Sequence, residues 1–449
     1  MIQTFVNAWK VQELRKKMLF TLMIILLYRI GANLVIPYVN VTTLKSYNGA
    51  FSDGVFGLLT MMSGDAFSQA TFFALSVSPY ITASIVIQLL SIAIPALEKM
   101  SKDEQGQKKL SAATRWVTVG LSIITAFGYV NLLNGNNQYK IVFLSGAAIP
   151  SANNTHILPW IVMIACLCAG ASLIMWLAEK INEHGIGNGI SIILFANIIS
   201  GLTRYIQGAI AMLKDAYGFW LTGWDLVLGI VGVVLSVALA LGAIVLIVWF
   251  TNSERRIKVI YAKRVVGRKT YGGQKTNLPL KMNMAGVMPV IFASSIVSIP
   301  TMIAGFIPNS GFADFVTKWL YTDKAIYFVL FVGLIVAFSY FYIAISFNPV
   351  EVANNIRNNG GAIIGIRPQE MAPFIKKILN RVTLMGAIFL VIIAGVPIIA
   401  TAVASMLEIG FTSLAFAGTS LLIAVGVALE LVRDLEAQLA MRNYKGFLD

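Results

Sequence analysis

Ten apolar segments of roughly twenty residues recur along this chain of 449 residues, and they constrain its fold more than any other feature. A helix needs about 20 apolar residues to cross the hydrocarbon core of a bilayer, whereas a membrane β-strand needs only about 9 to 11. A helix also satisfies its own backbone hydrogen bonds, as lipid requires. Hydrophobic residues make up 57% and charged residues 12% of the chain, which excludes a water-soluble globule and a disordered chain. The sequence therefore predicts an all-α polytopic membrane protein.

The ten predicted spans are separated by polar loops, and their ends are defined only to within several residues. They are Met18–Val39, Leu75–Leu97, Trp116–Leu133, Ile157–Ala178, Ile190–Gly208, Leu226–Phe250, Met284–Ile307, Ala325–Phe347, Val382–Ala404 and Thr412–Val432. The first span resembles the start of a signal peptide, but it is long and no small-residue cleavage site follows it. We expect it to be retained as an anchor.

A strongly basic loop, residues 252–282, interrupts the apolar spans. It carries nine Lys and Arg residues against a single acid, Glu254. Because spans flank it on both sides, this basic arm must lie in water on one face of the membrane, where it offers a concentrated cationic surface. Such a surface predicts an anionic partner.

The distribution of basic residues predicts the orientation of the chain. If the loops alternate between the two faces, one face holds 27 of the 34 Lys and Arg residues, together with both termini. Cytoplasmic loops carry an excess of Lys and Arg. We therefore expect the termini, the basic arm and a second basic loop, residues 348–381, to be cytoplasmic.

One apolar stretch, Val55–Phe73, does not fit the ten-span pattern. Polar and glycine residues interrupt it, so each apolar piece is too short to cross a membrane. Irregular backbone at membrane depth is tolerated only beside protein or water, which favours a re-entrant segment that plugs or lines a cavity. A helix lying on the outer membrane interface is the alternative.

Few residues in the chain suggest catalysis, a metal site or an ion path. Within the spans, Arg29 and Glu430 are the candidate charges, and both lie toward span ends, where snorkelling or pairing inside the bundle accounts for them. The two histidines, His156 and His184, fall on opposite predicted faces, so no His-based catalytic or metal site can form. The sequence predicts no catalytic residue, no metal site and no cofactor.

Several long motifs resemble the SecY family, which forms the channel subunit of the bacterial protein translocon. The match runs through the whole chain in the family's order. The motifs are Met62–Leu90, WLAEKINEHGIGNGISIILFANI (Trp176–Ile198), Glu254–Ile296, FNPVEVANNIRNNGGAIIGIRP (Phe347–Pro368) and FAGTSLLIAVGVALE (Phe416–Glu430).

The resemblance implies two pseudo-symmetric halves of five helices, residues 1–208 and 209–449, around a central hourglass pore. It implies a lateral gate toward lipid between the second and seventh spans and their neighbours. It also identifies residues 55–73 as a short plug helix, in agreement with the re-entrant interpretation. The expected plug residues are Leu58, Leu59, Met61, Met62, Ser63, Gly64, Asp65 and Phe67.

The resemblance also implies the residues of the pore and the gate. A ring of aliphatic side chains closes when empty and deforms around a chain of any sequence. Carried over by motif, the ring is Val77, Ile81, Ile190, Leu194, Ile291 and Ile423. Val77 and Leu194 depart from the isoleucine common at these positions. The gate's polar residues are Thr82, Gln88 and Asn283, whose hydrogen bonds are expected to cross the closed helix pair.

The family's partners give the basic arm a role. The resemblance implies docking of the ribosome or of the SecA motor ATPase, and association with the small membrane subunits SecE and SecG. Ribosomal RNA phosphates suit a cationic surface. The docking residues carried over are Arg255, Arg256, Lys263, Arg264, Arg268, Lys269 and Arg367. The family's GIRPG reads GIRPQ here, since Gln369 replaces the glycine.

These features together predict a protein-conducting channel and not an enzyme. It would pass unfolded secretory polypeptides and signal-bearing segments across the bacterial cytoplasmic membrane and release apolar segments into lipid. A small-solute secondary transporter is the alternative, but it would be expected to carry substrate-binding charges or broken helices at the midplane. An intramembrane enzyme would need a nucleophile and a base together.

Overall fold

The structure is a computed structural model that describes residues 2–39, 60, 63–135, 157–211, 213, 224–261, 263–266, 269–272, 275–307, 310–320, 324–406 and 417–445. The helices are α1 Ile2–Lys10, α2 Gln12–Gly31, α3 Ser78–Ala93, α4 Pro95–Lys102, α5 Glu104–Gly135, α6 Ile157–His184, α7 Gly189–Ala211, α8 Trp224–Asn252, α9 Met288–Phe306, α10 Gly311–Trp319, α11 Ala325–Ser346, α12 Pro349–Asn358, α13 Met371–Met406 and α14 Ala417–Lys445. The strands are β1 Glu254–Tyr261, β2 Lys263–Val266, β3 Lys269–Gly272, β4 Lys275–Lys281 and β5 Gly361–Ile363.

Each predicted span overlaps one long helix, so the ten-helix prediction is consistent with the fold. Within the described residues, four stretches are long and apolar enough to cross a membrane by themselves: Glu104–Asn131, Leu158–His184, Ile326–Asn358 and Met371–Gly395. The pair α3 and α4 passes the same test together, with a bend of 112° between its two helices. Shorter apolar stretches lie in α7, α8 and α9.

The ends of two spans differ from the prediction. Helix α2 ends at Gly31 and not near Val39, because the chain beyond it turns extended and pairs with the segment around Thr71. Helix α3 begins at Ser78 and not near Leu75, and it stops at Ala93, before the proline that starts α4. Proline cannot donate the hydrogen bond that would continue the helix.

The main hydrophobic core joins helices from both ends of the chain. It contains buried side chains of α2, α3, α6, α7, α8, α9, α11, α13 and α14. Outside it, many large apolar side chains on α2, α5 and α8 are exposed, as expected where helices face lipid.

The two basic loops form strands, which lie outside the predicted helical bundle. β1 pairs with β4 along its length, and it also pairs with β5, which belongs to the second basic loop. Alternate residues of β1, Ile257 and Val259, are buried against Ile356 and Met371. This period of two is typical of a strand with one buried face. The bundle is all-α, and a β-sheet carries the basic arm.

Candidate pore, plug and gate

The six predicted ring residues come from four helices and meet in one cluster. Val77 lies just before α3 and Ile81 in its first turn, while Ile190 and Leu194 lie in the first turns of α7. Residues four apart lie on the same face of a helix, so each pair presents two aliphatic side chains to the same neighbour. All six belong to the main core, five of them buried and Ile190 partly buried.

Most of the predicted ring residues are buried. Val77 and Leu194 are each 1% exposed, and Ile81 and Ile291 are each 3% exposed. Burying a Val, Leu or Ile side chain stabilises by about 1.5–3 kcal/mol relative to exposure. Aliphatic side chains hold no water by hydrogen bonding, so this contact can close a passage and reopen without breaking a polar network.

A glycine allows α14 to approach the start of α9 closely beside the ring. A Cβ atom built on Gly426 would overlap Cγ2 of Val287, the residue that precedes α9, and would lie 3.6 Å from its Cβ atom. Ile423 is one helical turn away on α14, so this contact sets the distance between two of the helices that supply the ring.

The predicted plug is described at Ser63, Gly64, Asp65 and Phe67, whereas Leu58, Leu59, Met61 and Met62 lie outside the described residues. Ser63 is helical, and residues 64–70 continue in turns. Its hydroxyl donates to Thr60 O and accepts from Phe67 N–H, each at 3.0 Å. Gly64 and Asp65 have φ of 61° and 77°, which ends helical geometry there.

The plug is anchored to the chain that follows α2. Ile36 N–H donates to Ala70 O at 3.1 Å and Phe72 N–H donates to Leu34 O at 2.7 Å, which forms a short antiparallel bridge. The hydroxyl of Tyr129 on α5 donates to Phe67 O. The sequence offers no signal for the role of Tyr129, because an aromatic residue in an apolar span is typical of lipid or core contact.

Arg29 pairs inside the bundle, as its position near a span end predicted. Its guanidinium donates to Ala196 O on α7 and lies 5.8 Å from the ring centre of Tyr28. The aromatic side chain of Tyr28 stacks on Phe73, at the end of the plug segment, with 5.2 Å between the ring centres. The Arg29 charge therefore lies near the plug segment. Its bond to a backbone carbonyl is the compensation that an intramembrane charge requires.

The predicted hydrogen bonds across the gate are wrong for two of the three residues. Thr82 donates to Ser78 O at 3.0 Å, and Gln88 donates to Ser84 Oγ at 3.2 Å, so both bonds stay within α3. A helix offers such carbonyls one turn back, and Thr hydroxyls take them readily. The α3 and α9 helices do contact each other, through apolar residues of the main core.

Asn283, the third gate residue, lies in the chain before α9 and is 8% exposed. It lines a cavity of about 290 Å³ with Lys281, Arg433 and Asp434. Partial burial, together with the charge of Arg433, lowers the pKa of Lys281, and burial raises the pKa of Asp434. The cavity therefore holds opposed charges in a partly desolvated place at the end of the bundle.

The sheet brings the two predicted docking loops together. Arg255 and Arg256 are exposed on β1, and Arg256 pairs with Glu254 at 2.6 Å. The exposed Arg367 follows β5, which pairs with the opposite end of β1 at Tyr261. β5 runs antiparallel to β1 and its last residue, Ile363, pairs with Val259, so the chain leaves β5 toward Arg367 on the side nearer Arg256.

Three of the remaining docking candidates, Lys263, Arg264 and Lys269, lie on β2 and β3, which form a separate two-stranded sheet. In its register, Lys263 pairs with Gly272, Arg264 with Tyr271 and Lys269 with Val266. Arg268 lies outside the described residues. The described docking candidates of the arm are thus distributed over the strands of two sheets.

A bundle of several apolar helices, with the predicted ring residues in its main core, defines a polytopic helical membrane protein. A sequence model of the SecY family matches residues 71–432. The chain belongs to the SecY family, a family of channel subunits, and it is therefore not an enzyme. Membership in this family gives no support to a small-solute transporter.

Relatives from two bacteria cover the whole chain. A protein translocase subunit SecY from Streptomyces galbus is 41% identical over 457 residues, with 100% of both chains covered. The subunit from Mycobacterium bovis is 38% identical over 467 residues, again with full coverage of both.

Solved structures share the fold at low identity. One, described as the structure of a protein conducting channel, has a TM-score of 0.58 at 15% identity and covers 94% of this chain and 92% of its own. A second, in which the plug domain of the SecY protein stabilises the closed state and maintains a membrane seal, also scores 0.58, at 16% identity, with the same coverage. An idle yeast Ssh1 complex bound to the 80S ribosome scores 0.59 at 14% identity and covers 93% and 89%.

Proposed function

We propose that this chain is a protein-conducting channel that passes unfolded secretory polypeptides across the bacterial cytoplasmic membrane. The observation that carries the proposal is the single buried cluster that gathers the six ring residues from four helices. An apolar collar is suited to substrates without common sequence, because it offers no hydrogen-bonding pattern that a particular chain must match. Family membership supports the same function.

The channel opens between two halves, residues 1–208 and 209–449. The contact between α3 and α9 supports this division, since these helices belong to different halves and meet through apolar side chains. Apolar contacts of this kind can be exchanged for contacts with an apolar signal segment at little cost. Such a segment leaves sideways into lipid through this gate.

The plug, residues 55–73, closes the outer side of the ring. Its support is the anchoring of its described part by hydrogen bonds with Ile36, Leu34 and Tyr129. The related SecY structure, whose plug maintains a membrane seal, supports the same role.

The basic sheet is the docking surface on the cytoplasmic face, where both termini also lie. The orientation rests on the excess of Lys and Arg on this face. Arg255, Arg256 and Arg367 receive either ribosomal RNA or the SecA motor, which drives transport. The yeast structural relative bound to the 80S ribosome supports the ribosome as a partner. SecE and SecG complete the channel in the membrane.

Reconstitution tests the function directly. The chain, purified with its two small subunits, is placed in proteoliposomes with the motor ATPase, ATP and a radiolabelled secretory precursor. The expected result is precursor protected from added protease, with no protection when ATP is omitted or the signal segment is removed. Protection that is equal without the signal segment, or absent with every component present, contradicts the proposal.

A further inference from the structure

Tyr129 makes an unusual contact with the plug. The residue is 1% exposed on α5, and its ring lies 4.7 Å from the ring of Phe67, centre to centre. Its hydroxyl donates to Phe67 O, in the middle of the plug's turns. The amide of Ala70 also approaches this oxygen, at 3.4 Å, which is long for a hydrogen bond. Of these two donors to Phe67 O, the Tyr129 hydroxyl is the closer.

A second hydroxyl reaches the plug from α7. Ser200 Oγ donates to Gly64 O at 3.4 Å, a longer and weaker contact than that of Tyr129. At the same place the plug lies against the backbone of α7, since a Cβ atom on Gly64 would stand 3.0 Å from Cα and O of Asn197. Gly64 has φ of 61°, so both its backbone conformation and its surroundings suit glycine alone.

We infer that Tyr129 and Ser200 form a plug latch, in which two wall hydroxyls hold the plug closed through the carbonyls of Phe67 and Gly64. The inference rests on the proposed function, because it assigns residues to the closure of that channel. Both partners on the plug are backbone atoms, so the latch needs no particular plug side chain. It holds the plug by its turn geometry, which Ser63 maintains from within.

The two hydrogen bonds of the latch are expected to contribute unequally to holding the plug. A buried carbonyl that loses a close hydrogen-bond donor is less well satisfied in the seated plug, whereas it can bond water once the plug leaves. Losing the Tyr129 hydroxyl should therefore shift the ratio of seated to displaced plug on the order of tenfold toward displacement. Losing the Ser200 hydroxyl should shift it less, because that contact is longer.

The first measurement follows the plug itself. In the complete complex with Cys166→Ser and Cys168→Ser, the substitution Gln69→Cys places one thiol on the plug, and the rate of its reaction with a membrane-impermeant maleimide reports displacement. Tyr129→Phe should raise this rate on the order of tenfold. Ser200→Ala should raise it by a smaller factor.

Two matched variants control for general loosening. Tyr327→Phe removes the hydroxyl of a tyrosine that is 3% exposed on α11, and Ser172→Ala removes one that donates to Cys168 O in its own helix. Both should label at the parent rate. Equal rates for Tyr129→Phe and Tyr327→Phe, whether both raised or both unchanged, would overturn the latch.

The second measurement separates the latch from the plug's sealing role. Ion conductance of resting channels in planar bilayers should rise with Tyr129→Phe, and the same change should add nothing once residues 57–68 are deleted. An added effect in the deleted channel would mean that Tyr129 acts through the fold, and it would overturn the latch. If the deletion alone leaves conductance at the parent level, the sealing role is wrong, while the maleimide rates still decide the latch.

Discussion

The contact between Gly426 and Val287 offers a sharp test of how closely the closed channel is packed. Gly426→Ala adds one methyl group where α14 meets the start of α9, and that methyl would overlap Val287 Cγ2. Valine is stiff at χ1, so it cannot swing the group aside freely. Overpacking a tight contact costs typically about 1–3 kcal/mol, and we expect Gly426→Ala to lose stability in that range.

A double-mutant cycle isolates this overlap. Val287→Ala removes Cγ2 and leaves Val287 Cβ at 3.6 Å from the new methyl, an ordinary van der Waals distance. The pair Gly426→Ala and Val287→Ala should therefore be more stable than the sum of the single changes by about 1–3 kcal/mol, the overlap that it relieves. The single change Val287→Ala carries only the cost of its lost methyl groups.

The assay is thermal unfolding of the purified complex in mild detergent, with the fraction folded measured by fluorescence-detected gel filtration. Gly333→Ala is the matched control, because it adds a methyl in α11 where nothing lies within 4 Å. We expect Gly426→Ala to melt below the parent, the double variant to recover most of the loss, and Gly333→Ala to match or exceed the parent. If Gly426→Ala and Gly333→Ala have the same melting temperature, Gly426 is not a tightly packed contact.

The remaining predictions concern the ring and the docking surface. Ile81→Ser should raise the ion conductance of resting channels, because it puts a hydroxyl in the apolar ring, whereas the buried Ile335→Ser on α11 should not; equal conductance in both would remove Ile81 from the seal. The double variant Arg255→Glu and Arg256→Glu should weaken ribosome binding. It should also lower the magnitude of the slope of log K against log salt concentration by about 1.4–1.8, the value for two lost phosphate contacts. Reversing the charges of the exposed pair Lys108 and Lys109 on α5 should leave the slope at its parent value. The slope is measured by filter binding between about 50 and 200 mM salt, where the electrostatic effect is large. An unchanged slope in the Arg variant excludes electrostatic binding of the ribosome by these two residues.

Helix positions were largely predictable because hydropathy is a local property of the chain. Each long apolar run overlaps a helix, since a run of that length must satisfy its backbone within itself in lipid. The ends were less predictable. Gly31 ends α2 because residues 34–36 pair with the plug segment, and no local pattern announces that distant partner.

The candidate site was predicted unevenly for a similar reason. Motifs suggested the ring residues, which remain a prediction, and all six of these residues lie in or against the main core. Motifs did not reveal that Thr82 and Gln88 make their hydrogen bonds within α3. A hydroxyl or amide group in a span can find hydrogen-bond partners in its own helix or in a neighbouring helix, and only the packing selects between them. Tyr129 was missed altogether, because its partner is a backbone carbonyl 62 residues away.

The sequence by itself determined that this chain is a helical membrane bundle with a basic, water-exposed arm. The reason is that the free energy of transfer from water to lipid, and the charge, are properties of each residue along the chain. The tertiary structure alone decided which distant segments contact each other. β5 joins the two basic loops into one sheet, Gly426 allows α14 to pack closely against the start of α9, and Tyr129 donates a hydrogen bond to the plug. These contacts depend on shape and on hydrogen-bond geometry between distant segments. Such terms exist only once the segments are packed against each other.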